Sequence, residues 1–257
     1  MTDLLAHAES VWQSVVADLP TFTVEVLPRI DSTSSELMRR ARDGLVEPVL
    51  LAAEEQTAGR GRMGKGWHSR AGQSLTFSLA LPLAPADWSG LSLAVGLSLV
   101  QSLHPRLQLK WPNDVWLDGR KLAGILIETA SLGADRYAVI GIGINLVAPD
   151  AAGLRTPPAG LRELLPTVQA PDVLEHIAAP LVRAVQRFAE QGFAPLVGAY
   201  RERDVLLGQA LTCSDGVEGV GQGVDGTGAL IVHTAQGLRR INSAEVSVRP
   251  AHPPSDS

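Results

Sequence analysis

The chain has 257 residues, 45% hydrophobic and 19% charged, with a formal net charge of -5. That length and balance fit one large domain, or one domain with a small appendage, and exclude a chain dominated by disorder. The acidic excess argues against nucleic acid as the main partner. The single cysteine, Cys213, excludes an internal disulfide and fits a reducing cytoplasm.

Asp3, His7 and Glu9 near the start leave no basic-then-apolar pattern of a signal peptide. Leu4, Leu5, Ala8, Trp12, Val15, Val16 and Leu19 recur at helical spacing, so residues 1–19 are expected as one amphipathic helix stopped by Pro20. A strand is expected over 23–27. Thr33 and Glu36 then have capping-box spacing, with Thr33 as the cap of a helix that runs to Arg42 and ends at Asp43-Gly44. A buried strand follows at 49–53, a polar glycine-rich loop at 56–72, and a strand at 75–81. The most apolar window, 91–103, is broken by serines, a glycine and a glutamine. It is too short to span a bilayer and is expected as a buried helix, so no membrane partner is implied.

Strands near 107–110, 122–128 and 137–142 complete a mixed α/β pattern, followed by a Pro- and Gly-rich loop at 148–160 and helical spacing at 172–190 and 195–203. Beyond Leu206 the texture changes to short strands (210–213, 217–224, 229–234, 238–248) with turn signals at Asp215-Gly216, Asp225-Gly226 and Gln236-Gly237. The expected division is a catalytic domain over 1–205, a small all-β barrel over 206–250 and a disordered tail over 251–257. Cys213 lies in one of these strands and is expected to be a buried structural thiol.

Three segments carry chemistry. Gly59 to Arg70 holds four basic side chains and no acidic one. Glycines allow close backbone approach and arginines supply forked donors for carboxylate and phosphate oxygens, so the loop suits a compact anion, a solvated basic loop being the alternative. Lys110-Trp111-Pro112-Asn113-Asp114 turns the chain at a strand end, and Lys121 stands at the mouth of the next apolar strand, a hairpin with a cationic rim if taken alone. Gly141-Ile142-Gly143-Ile144-Asn145 lacks the third glycine and the following helix of a dinucleotide fingerprint. Its glycines mark close approach of a ligand or of another backbone, and Asn145 suits a phosphate, a base edge or its own turn.

In that order, preceded by Asp31-Ser32-Thr33 and Glu54-Glu55-Gln56-Thr57-Ala58, these segments make the chain resemble the biotin–protein ligase family over roughly residues 24 to 249. The resemblance implies a mixed α/β catalytic domain related to the lipoate ligases, with a C-terminal SH3-like barrel. It implies a two-step reaction in which biotin and ATP, with Mg2+, give biotinyl-5′-AMP. A lysine of a biotin carboxyl carrier protein domain of a biotin-dependent carboxylase then takes the biotinyl group. By the same resemblance Ser32, Thr33, Ser34, Gln56, Arg60, Gly61, Arg62 and Lys121 line the biotin and biotinyl-adenylate site. The nucleotide side falls to Arg60, Arg62, Trp67, Lys110, Asn113, Asp114, Lys121 and Asn145, with Lys121, Arg60 and Arg62 as the catalytic cations.

Several residues suit more than one role. Ser32 and Thr33 suit ligand contact or helix capping, and Trp67 suits the pocket wall or the core. Asp114 suits orienting Lys121, holding Mg2+ or fixing the turn. Residues 59–70 are expected to order around the adenylate. Met63 and Lys65 stand where many members carry further arginines. About twenty residues precede the first strand, too few for the DNA-binding domain of the bifunctional members, so a monofunctional form that does not bind DNA is expected. Metal ligands and oligomeric state stay open, a homodimer among the options. The competing readings are a lipoate or octanoyl ligase, a non-catalytic biotin sensor and a nucleic-acid binder.

Overall fold

The computed structural model describes residues 3–132, 135–150, 152, 156–242 and 248–250. In chain order its elements are α1 (Asp3–Ala6), α2 (Ala8–Val15), β1 (Thr23–Ile30), α3 (Thr33–Arg42), β2 (Val49–Gln56), β3 (Gly59–Arg60), β4 (Gly66–Trp67) and β5 (Ser74–Pro82). Then come α4 (Leu91–Leu103), β6 (Gln108–Lys110), β7 (Asp114–Leu117), β8 (Arg120–Leu132), β9 (Asp135–Asn145), α5 (Ala170–Gln191) and α6 (Val197–Arg201). The C-terminal strands are β10 (Ala210–Cys213), β11 (Glu218–Val224), β12 (Leu230–Thr234), β13 (Gly237–Ile241) and β14 (Val248–Pro250).

Seven strands form one mixed sheet in the order β1-β2-β5-β9-β8-β7-β6, with β1 parallel to β2 and every other pair antiparallel. Successive side chains on a strand point to opposite faces. One face carries Leu50, Phe77, Leu79, Ile125, Ile140 and Ile142 in the main core, together with residues of α2, α4 and α5. A smaller cluster of Leu37 and Ala41 from α3 with Val49, Leu51, Ala80 and Val139 takes the other face. The apolar window 91–103 is indeed the buried helix α4.

The first helix differs from expectation: it is two short helices parted at His7, and residues 1 and 2 lie outside the described residues. Residues 56–72 are not a plain loop, because β3 and β4 pair as a small hairpin through Gly59–Trp67 and Arg60–Gly66. Its tip turns through Met63 at φ 56 and Gly64 at φ 70. The stretch 195–203 is a short 3-10 turn at Ala194–Leu196 followed by α6.

The C-terminal strands form a five-stranded antiparallel sheet in the order β13-β12-β11-β10-β14. Among the described residues this ladder does not close on itself: β13 and β14 are its two edges, and the expected strand 238–248 is two pieces, residues 243–247 lying outside the description. The expected disordered tail, 251–257, also lies outside the described residues. The small sheet is fastened to the large one beside β6. Leu109 accepts from Val205 N at 3.0 Å and donates to Arg203 O at 2.8 Å, and the Trp111 indole donates to Gly228 O at 3.0 Å. Among the described residues no helix is long and apolar enough to cross a membrane.

Candidate functional site

Strand alternation builds the site floor. With Leu75, Phe77 and Leu79 turned to the core, Ser74, Thr76 and Ser78 of β5 face the opposite way. On β9 the isoleucines 140, 142 and 144 fill the core, which places Gly141, Gly143 and Asn145 on the α3 face. Register aligns Ser78 with Gly141 and Thr76 with Gly143, and on the next strand Gly143 with Gly124. The Gly-Ile-Gly-Ile pattern is therefore a flat patch of strand surface, as the rejection of a dinucleotide fingerprint anticipated.

The glycines make room for specific neighbours. A Cβ on Gly141 would collide with Ser34 Oγ, and one on Gly143 would lie 2.5 Å from Trp67 Cζ2 and 2.6 Å from Trp67 Nε1. Above this floor opens a cavity of about 670 Å3, lined by α3, the β3–β4 hairpin, β8, β9 and Val248 of the small sheet. That volume suits a small-molecule site.

One wall is a polar cluster at the start of α3. The cap of this helix is Ser32, with φ -160 and ψ 131, whose Oγ accepts from Ser35 N at 3.3 Å. Thr33, expected as the cap, is instead the first helical residue. Its N–H and hydroxyl both turn to Gln56 Oε1, at 2.7 and 3.1 Å, so its side chain has no reach to the helix amides. A backbone N–H can only donate, which fixes the Gln56 atom facing Thr33 as the carbonyl oxygen. The Gln56 NH2 has no partner among the described residues and is available to a ligand. Beneath them Ser78 Oγ lies 2.8 Å from Thr33 Oγ1 and 3.0 Å from Ser34 Oγ. Asp31 anchors the cap by accepting from Ser32 N at 2.7 Å, and the Arg39 guanidinium beside it holds its carboxyl below the usual value.

The opposite wall is cationic. Lys121 is the second residue of β8, and its backbone is clamped by the 157–159 segment, donating to Pro157 O at 2.9 Å and accepting from Ala159 N at 2.8 Å. Its Nζ stands 2.6 Å from Asp114 Oδ1, an ion pair that holds the ammonium at the cavity wall. Lys110 reaches the same cavity, its ammonium 5.1 Å from the Trp116 ring centroid. Arg62 contacts Asn113 Oδ1 at 3.4 Å, while the Asn113 amide donates to Ile125 O at 2.7 Å. Burial lowers the Arg62 pKa and the Asp114 charge opposes that shift.

Every expected site residue, Gly61 included, thus lines one cavity. Their engagement differs. Arg60 leans outward, donating to Glu128 and, at 3.0 Å, to Ser35 Oγ. Trp67 packs on Gly143 with its Nε1 buried and unpartnered, so it belongs to the pocket wall, whereas Trp111 is wholly buried. Sequence reasoning missed Ser78, Glu128 and the Pro157–Ala159 clamp. The hydroxyls at 74, 76 and 78, alternating with apolar residues, were a readable sign for the first. The other two rest on long-range pairing that carries no local pattern.

One sheet-backed pocket thus has a hydroxyl–amide wall on one side and a cationic wall on the other, a division that suits a ligand with a neutral polar end and an anionic end. Residues 26–145 match the Biotin/lipoate A/B protein ligase family and residues 211–249 the Biotin protein ligase C terminal domain. The chain belongs to the biotin–protein ligases. It is 37% identical to the biotin–[acetyl-CoA-carboxylase] ligase of Paracoccus denitrificans, over 86% of this chain and 98% of that one. It is 32% identical to the bifunctional ligase/repressor BirA of Escherichia coli K12, over 93% of this chain and 78% of that one. Among solved structures, the Aquifex aeolicus biotin protein ligase in complex with biotin and ATP superposes with a TM-score of 0.76 at 28% identity, covering 89% of this chain and 99% of that one.

Proposed function

We propose that this chain condenses biotin with ATP to biotinyl-5′-AMP and passes the biotinyl group to a lysine of a biotin carboxyl carrier domain. The supporting observation is the two-walled cavity, with the uncharged donors of Gln56 and Ser32 facing the cations Arg62, Lys110 and Lys121 across one space. The ureido group of biotin is neutral and needs its acceptor and donors matched inside a pocket. Gln56 NH2 and the Ser32 hydroxyl hydrogen supply donors for the ureido oxygen, and the Ser34 oxygen faces an N–H.

The opposite end of the ligand is a carboxylate that must approach the α-phosphate. Two unit charges at 4 Å repel by about 4 kcal/mol at an effective dielectric near 20. Lys121, held against Asp114 and braced by Pro157 and Ala159, is the cation assigned to bridge carboxylate and α-phosphate. Arg62 and Lys110 oppose the remaining phosphate charge, and Arg60 closes the hairpin over the cavity. Mg2+ enters with ATP as part of the substrate. Among the described residues there is no cluster of three metal-ligating side chains, and Asp114 is the carboxylate that lines the cavity.

In the first step a carboxylate oxygen forms a bond to the α-phosphorus as the bond to the β-phosphate bridging oxygen breaks, releasing pyrophosphate. In the second the acceptor lysine nitrogen bonds to the acyl carbon, AMP leaves with the anhydride oxygen, and the amine gives up a proton. The mixed anhydride must be kept from water until the amine arrives, which the hairpin and Trp67 accomplish by covering the floor. Incubation with biotin, Mg-ATP and a carrier domain should add one biotinyl group to one carrier lysine by mass spectrometry, with stoichiometric pyrophosphate. An unmodified carrier with no pyrophosphate, or a carrier modified only when lipoate or octanoate replaces biotin, overturns this assignment.

A further inference from the structure

Ser78 is fully buried in the middle of β5 and lies outside the set of residues that line the cavity. Its hydroxyl nevertheless joins the two hydroxyls that do, Thr33 and Ser34. The direction of each hydrogen in this cluster can be worked out from one fixed point. Thr33 N–H donates to Gln56 Oε1, so that atom is an oxygen, and the Thr33 hydroxyl, 3.1 Å from the same oxygen, must donate its only hydrogen there. The Thr33 oxygen is then an acceptor toward Ser78, which must spend its hydrogen on Thr33 at 2.8 Å. Ser78 is left as an acceptor, and Ser34 must donate to it at 3.0 Å. One relay results, running Ser34 to Ser78 to Thr33 to Gln56, with each bond polarising the next.

We propose that Ser78 is a positioning residue for ligand recognition: by closing the relay between Thr33 and Ser34 it takes up the Ser34 hydrogen, so that Ser34 shows only its oxygen to the ligand beside the Gln56 NH2 that the Thr33 N–H already holds outward. This rests on the assignment of biotin as that ligand, whose ureido group offers one acceptor flanked by donors. Gly141 holds the relay together by leaving the space that Ser34 Oγ occupies. Loss of the Ser78 hydroxyl leaves Thr33 on Gln56 but removes the acceptor of the Ser34 hydrogen, and Ser34 then turns that hydrogen toward a ligand N–H, donor against donor.

The test is calorimetric binding of biotin, with steady-state KM values for biotin and ATP, on wild type, Ser78→Ala and Ser78→Cys. The Cys variant fills the space while hydrogen-bonding poorly, so it separates packing from polarity. Both variants are expected to bind biotin about tenfold more weakly, the size of one lost relay in a buried site, with the KM for ATP unchanged. In a Gln56→Ala background, where the relay has lost its terminus, Ser78→Ala should weaken biotin binding no further. Wild-type biotin affinity in both single variants overturns the proposal, as does an equal rise in both KM values that persists in the Gln56→Ala background. A wild-type protein that binds no biotin sinks the assignment of the ligand instead, so the two failures are distinguishable.

Discussion

Replacing Gly143 by alanine tests whether the hairpin and the floor must meet for the ligand to be held. The added Cβ would lie 2.5 Å from Trp67 Cζ2 and 2.6 Å from Nε1, and closer still to Cε2. Carbon atoms rest at about 3.5–4.0 Å from one another, so the indole has to move outward by about 1 Å or more. Over-packing of this kind costs about 1–3 kcal/mol. The folded chain can avoid that cost by letting the β3–β4 hairpin swing away, since the clash involves the hairpin and no core residue. The penalty therefore falls on the closed state and appears as weaker binding, about 5- to 150-fold at 1.4 kcal/mol per decade. Thermal stability should change little, because alanine in a strand also loses less backbone entropy than glycine. Biotin affinity by calorimetry is the primary assay. Trypsin cleavage at the exposed hairpin basic residues, with and without biotin and Mg-ATP, is the second. Ligand should protect wild type and fail to protect Gly143→Ala at the same concentration. Wild-type affinity and protection in the variant would refute the reasoning.

Other consequences are as direct. Lys121→Ala should slow pyrophosphate release by about 10²–10³-fold with a much smaller change in biotin affinity, as for a donor used mainly in the transition state; near-normal turnover removes Lys121 from that role. Asp204, buried between α6 and the small sheet, has its carboxyl pKa raised from 3.8 to about 6, with burial as the leading cause. The folded protein binds this proton more tightly than the unfolded chain, so the stabilisation is complete below about pH 4 and is lost as pH rises to about 6. Asp204→Asn keeps an oxygen for the Leu206 amide, so melts at pH 7.5 should show the variant more stable by about 1–3 kcal/mol, its decline between pH 4 and 6 flattened. Parallel pH curves for the two proteins count against it. Cys213 is 3% exposed, and burial pushes its thiol up to about 11. A disulfide exchange reagent at pH 8 should label it only after unfolding; prompt labelling of native protein would place it elsewhere.

Most strands of the large sheet are legible in the periodicity of the sequence. The alternation in 137–142 and the apolar run 49–53 are local, and both became strands extended by a few residues. The cap of α3 was misplaced by one position because Ser32 and Thr33 are equally good caps in isolation. Only the long-range claim of Gln56 on Thr33 decides between them. The β7 strand was hidden behind the turn signal of Pro112-Asn113-Asp114, and Asp114 proved to be its first residue. The cations of the site were legible because charge in an acidic chain stands out. Ser78 was legible only as one of three hydroxyls alternating along β5, since its bonds to Thr33 and Ser34 reach across the fold and leave no local pattern. The Glu128 partner of Arg60 was hidden for the same reason, being 68 positions away in sequence.

The fastening of the small sheet to β6 bears on how the protein tolerates truncation. Leu109 and Trp111 are the immediate neighbours of Lys110, and each hands a polar group to the C-terminal third of the chain. Cutting after residue 202 would strip two main-chain partners from Leu109 and leave a wholly enclosed indole N–H with nothing to receive it. Each such orphan costs about 1–3 kcal/mol, a large share of the stability of an ordinary domain. Strand β6, which carries Lys110 to the cavity, would thus be the first casualty of removing what looks, in outline, like a detachable appendage.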